Sequence, residues 1–169
     1  MRFIVSKEIF DKFPDLNIGV VVAKSVDNTG INEDIIRLIR EKETEIRQNS
    51  DSQTLSQNPK IDCWRKAYSA FGAKPKDNLS SVENLYKMVL KGAEIRHINK
   101  LVDIYNFVSL KYMVPLGGED LDKIQGDIIL TTAGPNEPTV LLLGDKEPRP
   151  PHEGEVIYKD GISAICRRF

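Results

Sequence analysis

Asn99, Asp103 and Asn106 interrupt "INKLVDIYNFVSL", a stretch otherwise filled mainly by Leu, Val, Ile, Tyr and Phe. At about 100° per residue the three positions share an arc of roughly 60° on a helix surface. Asn and Asp are poor interior helix residues, and a buried polar group left without a partner costs about 1–3 kcal/mol. The seam must therefore meet hydrogen-bonding groups, either of the protein or of a ligand. Directly downstream, "PLGGED" offers Gly117 and Gly118, whose bare backbone permits positive φ or the close approach of a ligand. Glu119, Asp120 and Asp122 follow. Together these residues define a candidate substrate pocket. One wall is the seam of Asn99, Asp103 and Asn106; the other is Gly117, Gly118 and Asp120. Glu119 is the nearest acid that could steer a water. The alternative is a tight turn in which Asp120 caps a short helix beginning near Leu121. His97, just ahead of the seam, reads as a solvent-facing residue, with a general base as the alternative.

Other chemistries leave no trace. There is no GxGxxG after a strand and no P-loop, GxSxG, HExxH or EF-hand pattern. The two cysteines, Cys63 and Cys166, have no CxxC spacing and read as small buried hydrophobes. His97 and His152 are the only histidines, so neither a metal nor another cofactor is expected.

Charge is unevenly spread. Residues 60–100 carry nine Lys/Arg against four Asp/Glu, whereas residues 101–169 carry seven against eleven. A locally basic segment in a chain of net charge −1 is compatible with contact to a phosphate backbone. Arg65, Lys74, Lys76, Arg96 and Lys100 are the candidate RNA-binding residues. A solvated surface with spatially balanced charges is the competing reading.

The elements that must position these residues follow from periodicity. "RFIV" and "NIGVVVAKSV" read as strands separated by a helix from about Lys7 to Phe13, which ends at Pro14. "NTG" at 28–30 is a turn. "INEDIIRLIREKETEIRQ" is an amphipathic helix with Glu33/Arg37 and Glu43/Arg47 at i,i+4. The polar run from Asn49 to Pro59 reads as a surface loop. A helix from about Ile61 to Phe71 aligns Trp64, Ala67, Tyr68 and Phe71 as core rather than as a stacking platform for bases. Ser80 with Glu83 forms a capping box for a helix that stops at Gly92. The seamed helix ends before Pro115, and "GDIILTT", "TVLLLG", "EVIYKD" and "ISAICRR" then alternate as strands.

Strands, then helices, then strands specify an α+β domain with mixed or antiparallel sheet and packed helices. The 169 residues fit one domain spanning 1–169, large enough to bury about 70% of the unfolded surface. With 40% apolar and 29% charged residues the composition is that of an ordinary soluble protein. No run of about 18 apolar residues occurs and the N-terminus is too charged for a signal peptide, so a cytoplasmic location away from membranes is expected.

"EIRHINKLVDIYNFVSLKYMVPLGGEDLDKI", residues 94–124, resembles the B3/B4 tRNA-editing domain of the phenylalanine–tRNA ligase beta subunit, and still more the free-standing proteins consisting of that domain alone. The shared residues are Arg96, Ile98, Asn99, Val102, Asp103, Asn106, Pro115, Asp120 and Asp122. A looser match runs upstream from Trp64 and downstream to "ICRRF", so it covers most of the chain. The resemblance implies an α+β domain with a pocket beside this helix, tRNA or aminoacyl-tRNA as partner, and hydrolysis of a mischarged aminoacyl ester in trans. The ligase domain removes tyrosine mistakenly attached to phenylalanine tRNA. Tyr105 stands where the ligase pattern has Thr, and Gly117 where it has a pocket His. A further acid of that pocket follows the final strand, about where this sequence reaches Phe169. The alternative function is a non-catalytic module that keeps the fold and binds RNA or a free amino acid. Oligomeric state is not legible.

Overall fold

Short Val/Ile/Leu/Thr runs supply the strands, and capped amphipathic segments supply the helices, in a computed structural model that describes residues 1–141 and 146–167. In chain order the elements are β1 (Phe3–Val5), α1 (Lys7–Lys12), α2 (Glu33–Asn49), α3 (Pro59–Ala70), α4 (Ser81–Leu90), α5 (Lys100–Tyr112), β2 (Ile128–Thr132), β3 (Val156–Lys159) and β4 (Ala164–Arg167). A 3₁₀ turn at Leu55–Gln57 lies between α2 and α3. The class is α+β, as the element order requires.

Two units divide the chain. The first comprises Met1–Val21, Tyr68–Lys74 and Glu119–Phe169; the second comprises Val22–Ala67 and Pro75–Gly118. The first is the sheet unit, with strand order β1-β2-β3-β4. β1 runs parallel to β2, with Phe3, Ile4 and Val5 opposite Ile128, Ile129 and Leu130. The other two pairings are antiparallel, which makes the sheet mixed. Glu8 ties α1 to β2, accepting from the Thr132 backbone and from the hydroxyls of Thr131 and Thr132. These bonds hold its carboxyl down at about 2. Ile9, Leu130 and Val156 form the core here, with Phe13, Phe71 and Tyr158 against them. Phe71 meets Phe13 edge-on at 6.5 Å and Tyr68 at 5.2 Å, so the aromatic residues at the end of α3 are core.

The second, helical unit is built on Ile39, Ile46, Leu55, Ile61, Val82, Tyr86, Val89, Ile95 and Leu110. Its helices begin where capping residues stand. Asn32 accepts from the Ile35 N–H ahead of α2, and Ser80 accepts from the Glu83 N–H ahead of α4. Gly92, at φ +86°, ends α4 in the left-handed region that favours glycine. Glu43 and Glu83 are fully buried. Glu43 accepts from Arg40 at 2.7 Å and from the Ile95 N–H at 2.6 Å. Glu83 is paired with Arg65 at 2.7 Å and Lys87 at 2.9 Å.

Several expectations change. "NIGVVVAKSV" forms no strand, and Val21 is 92% exposed. Its β-pattern has no neighbour to pair with, and strand propensity is realised only on a paired, half-buried surface. The polar run 49–59 is not a plain loop, because it buries Leu55 in the helical core through its 3₁₀ turn. Arg37 reaches Asp34 and Glu41 rather than Glu33. The expected strand "TVLLLG" is represented by a single bridge from Val140 to Arg149; Leu142–Gly144 lie outside the described residues, as does Arg168 of "ISAICRR". Among the described residues no helix is long and apolar enough to cross a membrane.

Candidate functional site

The seam resolves into three separate arrangements within the helical unit. Asn99 lies one residue outside α5 as its N-cap, its side chain accepting from the Val102 N–H at 2.9 Å. That role satisfies one of the unpaired donors of the first turn. Asp103, 1% exposed, turns back to the segment ahead of the helix. One carboxylate oxygen is 2.6 Å from Nδ1 of His97, and the other accepts from the Ile98 N–H at 3.4 Å. Asn106 is half-buried and makes no side-chain bond to Asn99 or Asp103. The expected continuous line from Asn99 through Asn106 to the glycine loop is thus not formed. Capping and the pull of His97 consume the first two side chains locally.

The loop does return to the helix. α5 ends at Met113 in the left-handed conformation, φ 56°, and the Ser109 hydroxyl donates to the Val114 carbonyl at 2.6 Å. From this turn Gly118 comes to lie against Tyr105, so that a Cβ at residue 118 would sit 3.6 Å from the ring. Gly117 and Gly118 are both exposed. Tyr105, which stands where the resemblance has Thr, is therefore the side chain that the glycine backbone meets.

In the sheet unit, Glu119 is exposed at its surface, yet the protein packed around its carboxyl pushes its pKa above the ordinary glutamate value. Desolvation penalises the charged form. Cys166 is pushed up to about 11, first by burial and then by the charge of Glu119. Tyr158 is pushed up to about 12, by burial and then by Cys166. Asp120 is exposed and accepts from the Asp122 N–H at 3.1 Å; it forms a turn, not the cap of a helix. Cys63 is exposed and Cys166 half-buried, so only the latter matches the expected buried role.

The basic residues differ in their surroundings. Arg65 is committed to Glu83, and Lys100 is paired with Asp27 at 3.2 Å. Arg96, Lys74 and Lys76 are exposed. Among the described residues no group of three His, Cys, Asp or Glu side chains is placed to hold a metal ion. Sequence reasoning missed the His97–Asp103 pair. The two are six positions apart across a helix cap, a spacing no helical or strand period flags.

A helix capped by Asn99, a buried acid in its first turn and a glycine loop folded back on Tyr105 define an α+β domain with one elaborated helix end. The chain belongs to the B3/4 domain family, whose pattern matches residues 63–168. It is similar to the phenylalanine–tRNA ligase beta subunit of Fusobacterium nucleatum subsp. nucleatum, 35% identical over 80 residues, covering 47% of this chain and 10% of that subunit. It is also similar to the corresponding subunit of Leifsonia xyli subsp. xyli, 38% identical over 76 residues, covering 45% of this chain and 9% of that subunit. The chain thus spans about a tenth of the length of these relatives. No solved structure matches.

Proposed function

We propose that this chain binds aminoacyl-tRNA and hydrolyses a mischarged aminoacyl ester in trans. The carrying observation is the return of the bare Gly118 backbone to the Tyr105 ring of α5, next to half-buried Asn106. This brings exposed glycine backbone against the residue that precedes Asn106 on the helix. An aminoacyl ester is already activated, so orientation supplies much of the rate. Asn106, Gly117 and Gly118 orient the ester, with Asn99 and Asp103 fixing the helix end. Glu119, counted with the sheet unit, is proposed separately as an acid that steers a water. Arg65, Lys74, Lys76, Arg96 and Lys100 are the basic side chains proposed to meet tRNA phosphates. Family membership and similarity to a tRNA ligase subunit support the reading. A cytoplasmic site of action and a single domain over 1–169 belong to the same proposal.

Gly117 favours a second reading, a non-catalytic module for RNA or a free amino acid, because it provides no side chain where the resemblance has an imidazole. Deacylation of a panel of correctly and incorrectly charged tRNAs separates the two. The native chain is expected to exceed buffer on at least one mischarged tRNA, with Asn106→Ala slower and Gly117→His altered. If all three match buffer on every tRNA, hydrolysis is excluded and the binding module stands.

A further inference from the structure

Asp103 is a buried carboxylate whose partner is an imidazole that faces outward. Its two oxygens are engaged by Nδ1 of His97 at 2.6 Å and the Ile98 N–H at 3.4 Å. The acid is 1% exposed and the His97 side chain 32%. With the carboxylate ionised, Nδ1 must carry the hydrogen, which leaves the lone pair on Nε2. Ile98, next in the chain, is 65% exposed and Leu101 39%. The surrounding charges are Arg96 and Lys100 on the same segment, Asp27 on Lys100, and Arg40, which bonds the Ile95 carbonyl and pairs with Glu94. A buried acid against Nδ1 of a partly exposed imidazole is the kind of pair that lets a histidine take a proton from water or a hydroxyl.

We infer that His97 is a general base for ester hydrolysis, with Asp103 its positioning residue. The inference rests on the hydrolytic reading above and assigns the proton transfer that positioning alone leaves open. Nε2 takes a proton from water while the water oxygen bonds to the ester carbonyl carbon. The bond from that carbon to the alcohol oxygen then breaks, and the imidazolium returns its proton to the departing oxygen. Asp103 stays ionised throughout and stabilises the imidazolium. Carboxylic esters are the substrate class, aminoacyl esters among them.

The test uses the full chain and two probes, p-nitrophenyl esters of amino acids and a panel of charged tRNAs. His97→Asn keeps an amide donor toward Asp103 but removes the base. It is expected to keep the native unfolding midpoint, to lose about 10²–10⁴-fold in rate, and to lose the rise of rate through the imidazole range of pH. If His97→Asn shifts the midpoint, His97→Gln is measured in its place. A native chain active on either probe, with the variant within twofold and an unchanged pH profile, overturns the dyad and leaves the hydrolytic reading intact. His97-dependent hydrolysis of the small esters alone supports the dyad and removes tRNA as substrate. A native chain inert on both probes overturns both.

Discussion

Glu43 and Glu83 in the helical unit are as buried as side chains become, and each is met by arginine or lysine. In the sheet unit, burial shifts Glu119, Cys166 and Tyr158 upward, with the charge of Glu119 adding to Cys166 and Cys166 adding to Tyr158. A buried acid met by a cation is a strut: its charge is spent on holding helices together. A group shifted by desolvation holds its proton to higher pH than it would in water. His97 with Asp103 stands between these cases, because the group that meets the buried acid is itself an imidazole.

The comparison breaks first at Arg65. Arg65→Met leaves the Glu83 carboxylate buried with Lys87 as its remaining counter-ion. The expected loss is about 3 kcal/mol in urea unfolding, because an uncompensated buried charge costs far more than a surface pair contributes. An unchanged midpoint would show that Glu83 is not a strut. The loss should be the same without RNA, since Arg65 acts inside the fold.

Gly161 probes the rigidity of the sheet unit. A Cβ there would lie 2.8 Å from the Gln125 carbonyl oxygen, which accepts from the Gly161 N–H at 2.7 Å. Gly161→Ala should cost about 1–3 kcal/mol by overpacking. A neutral result in thermal unfolding would mean that the turn yields freely.

Cys166 sharpens the contrast with pH. Its thiol is raised from 9.0 to about 11, so the folded state disfavours the thiolate. The associated stability is fully present below pH 9 and is lost as pH rises toward 11, on the order of 1–2 kcal/mol. Cys166→Ala should flatten that part of the pH–stability curve. At pH 8, iodoacetamide should label exposed Cys63 at least several-fold faster than Cys166. Equal labelling would remove the desolvation account.

The smallest effect belongs to Glu8. Its carboxyl, lowered from 4.5 to about 2, contributes stability present above pH 4.5 and lost as pH falls through 2. Glu8→Gln should remove this slight acid-side slope in thermal scans. A slope retained in the variant would place its origin elsewhere.

What the sequence disclosed was local. Asn32, Ser80 and Gly92 mark helix ends by chemistry confined to a few residues, and each is where its type predicts. "GDIILTT" and "EVIYKD" likewise became strands because they pair with each other. "NIGVVVAKSV" has an equally good pattern but no partner, which no local rule reveals. Glu43 follows the spacing of a solvated i,i+4 pair with Arg47, yet it is buried because Ile95 donates to it from 52 positions away. At the candidate site, Asn99 was legible as a polar residue of the seam, not as the helix cap that it forms. The turn of Asp103 toward His97 was not, because it depends on the path of the chain before the cap.

The parallel pairing of β1 with β2 carries a consequence for how the chain assembles. Arg2 and Asp127, 125 positions apart, meet beside that pairing. During synthesis β1 therefore waits for about 125 further residues before its neighbour exists. Closing so large a loop delays folding more than it weakens the final state. Pulse-labelled refolding should show the amides of α2 and α4 protected early and those across the β1–β2 pairing protected last.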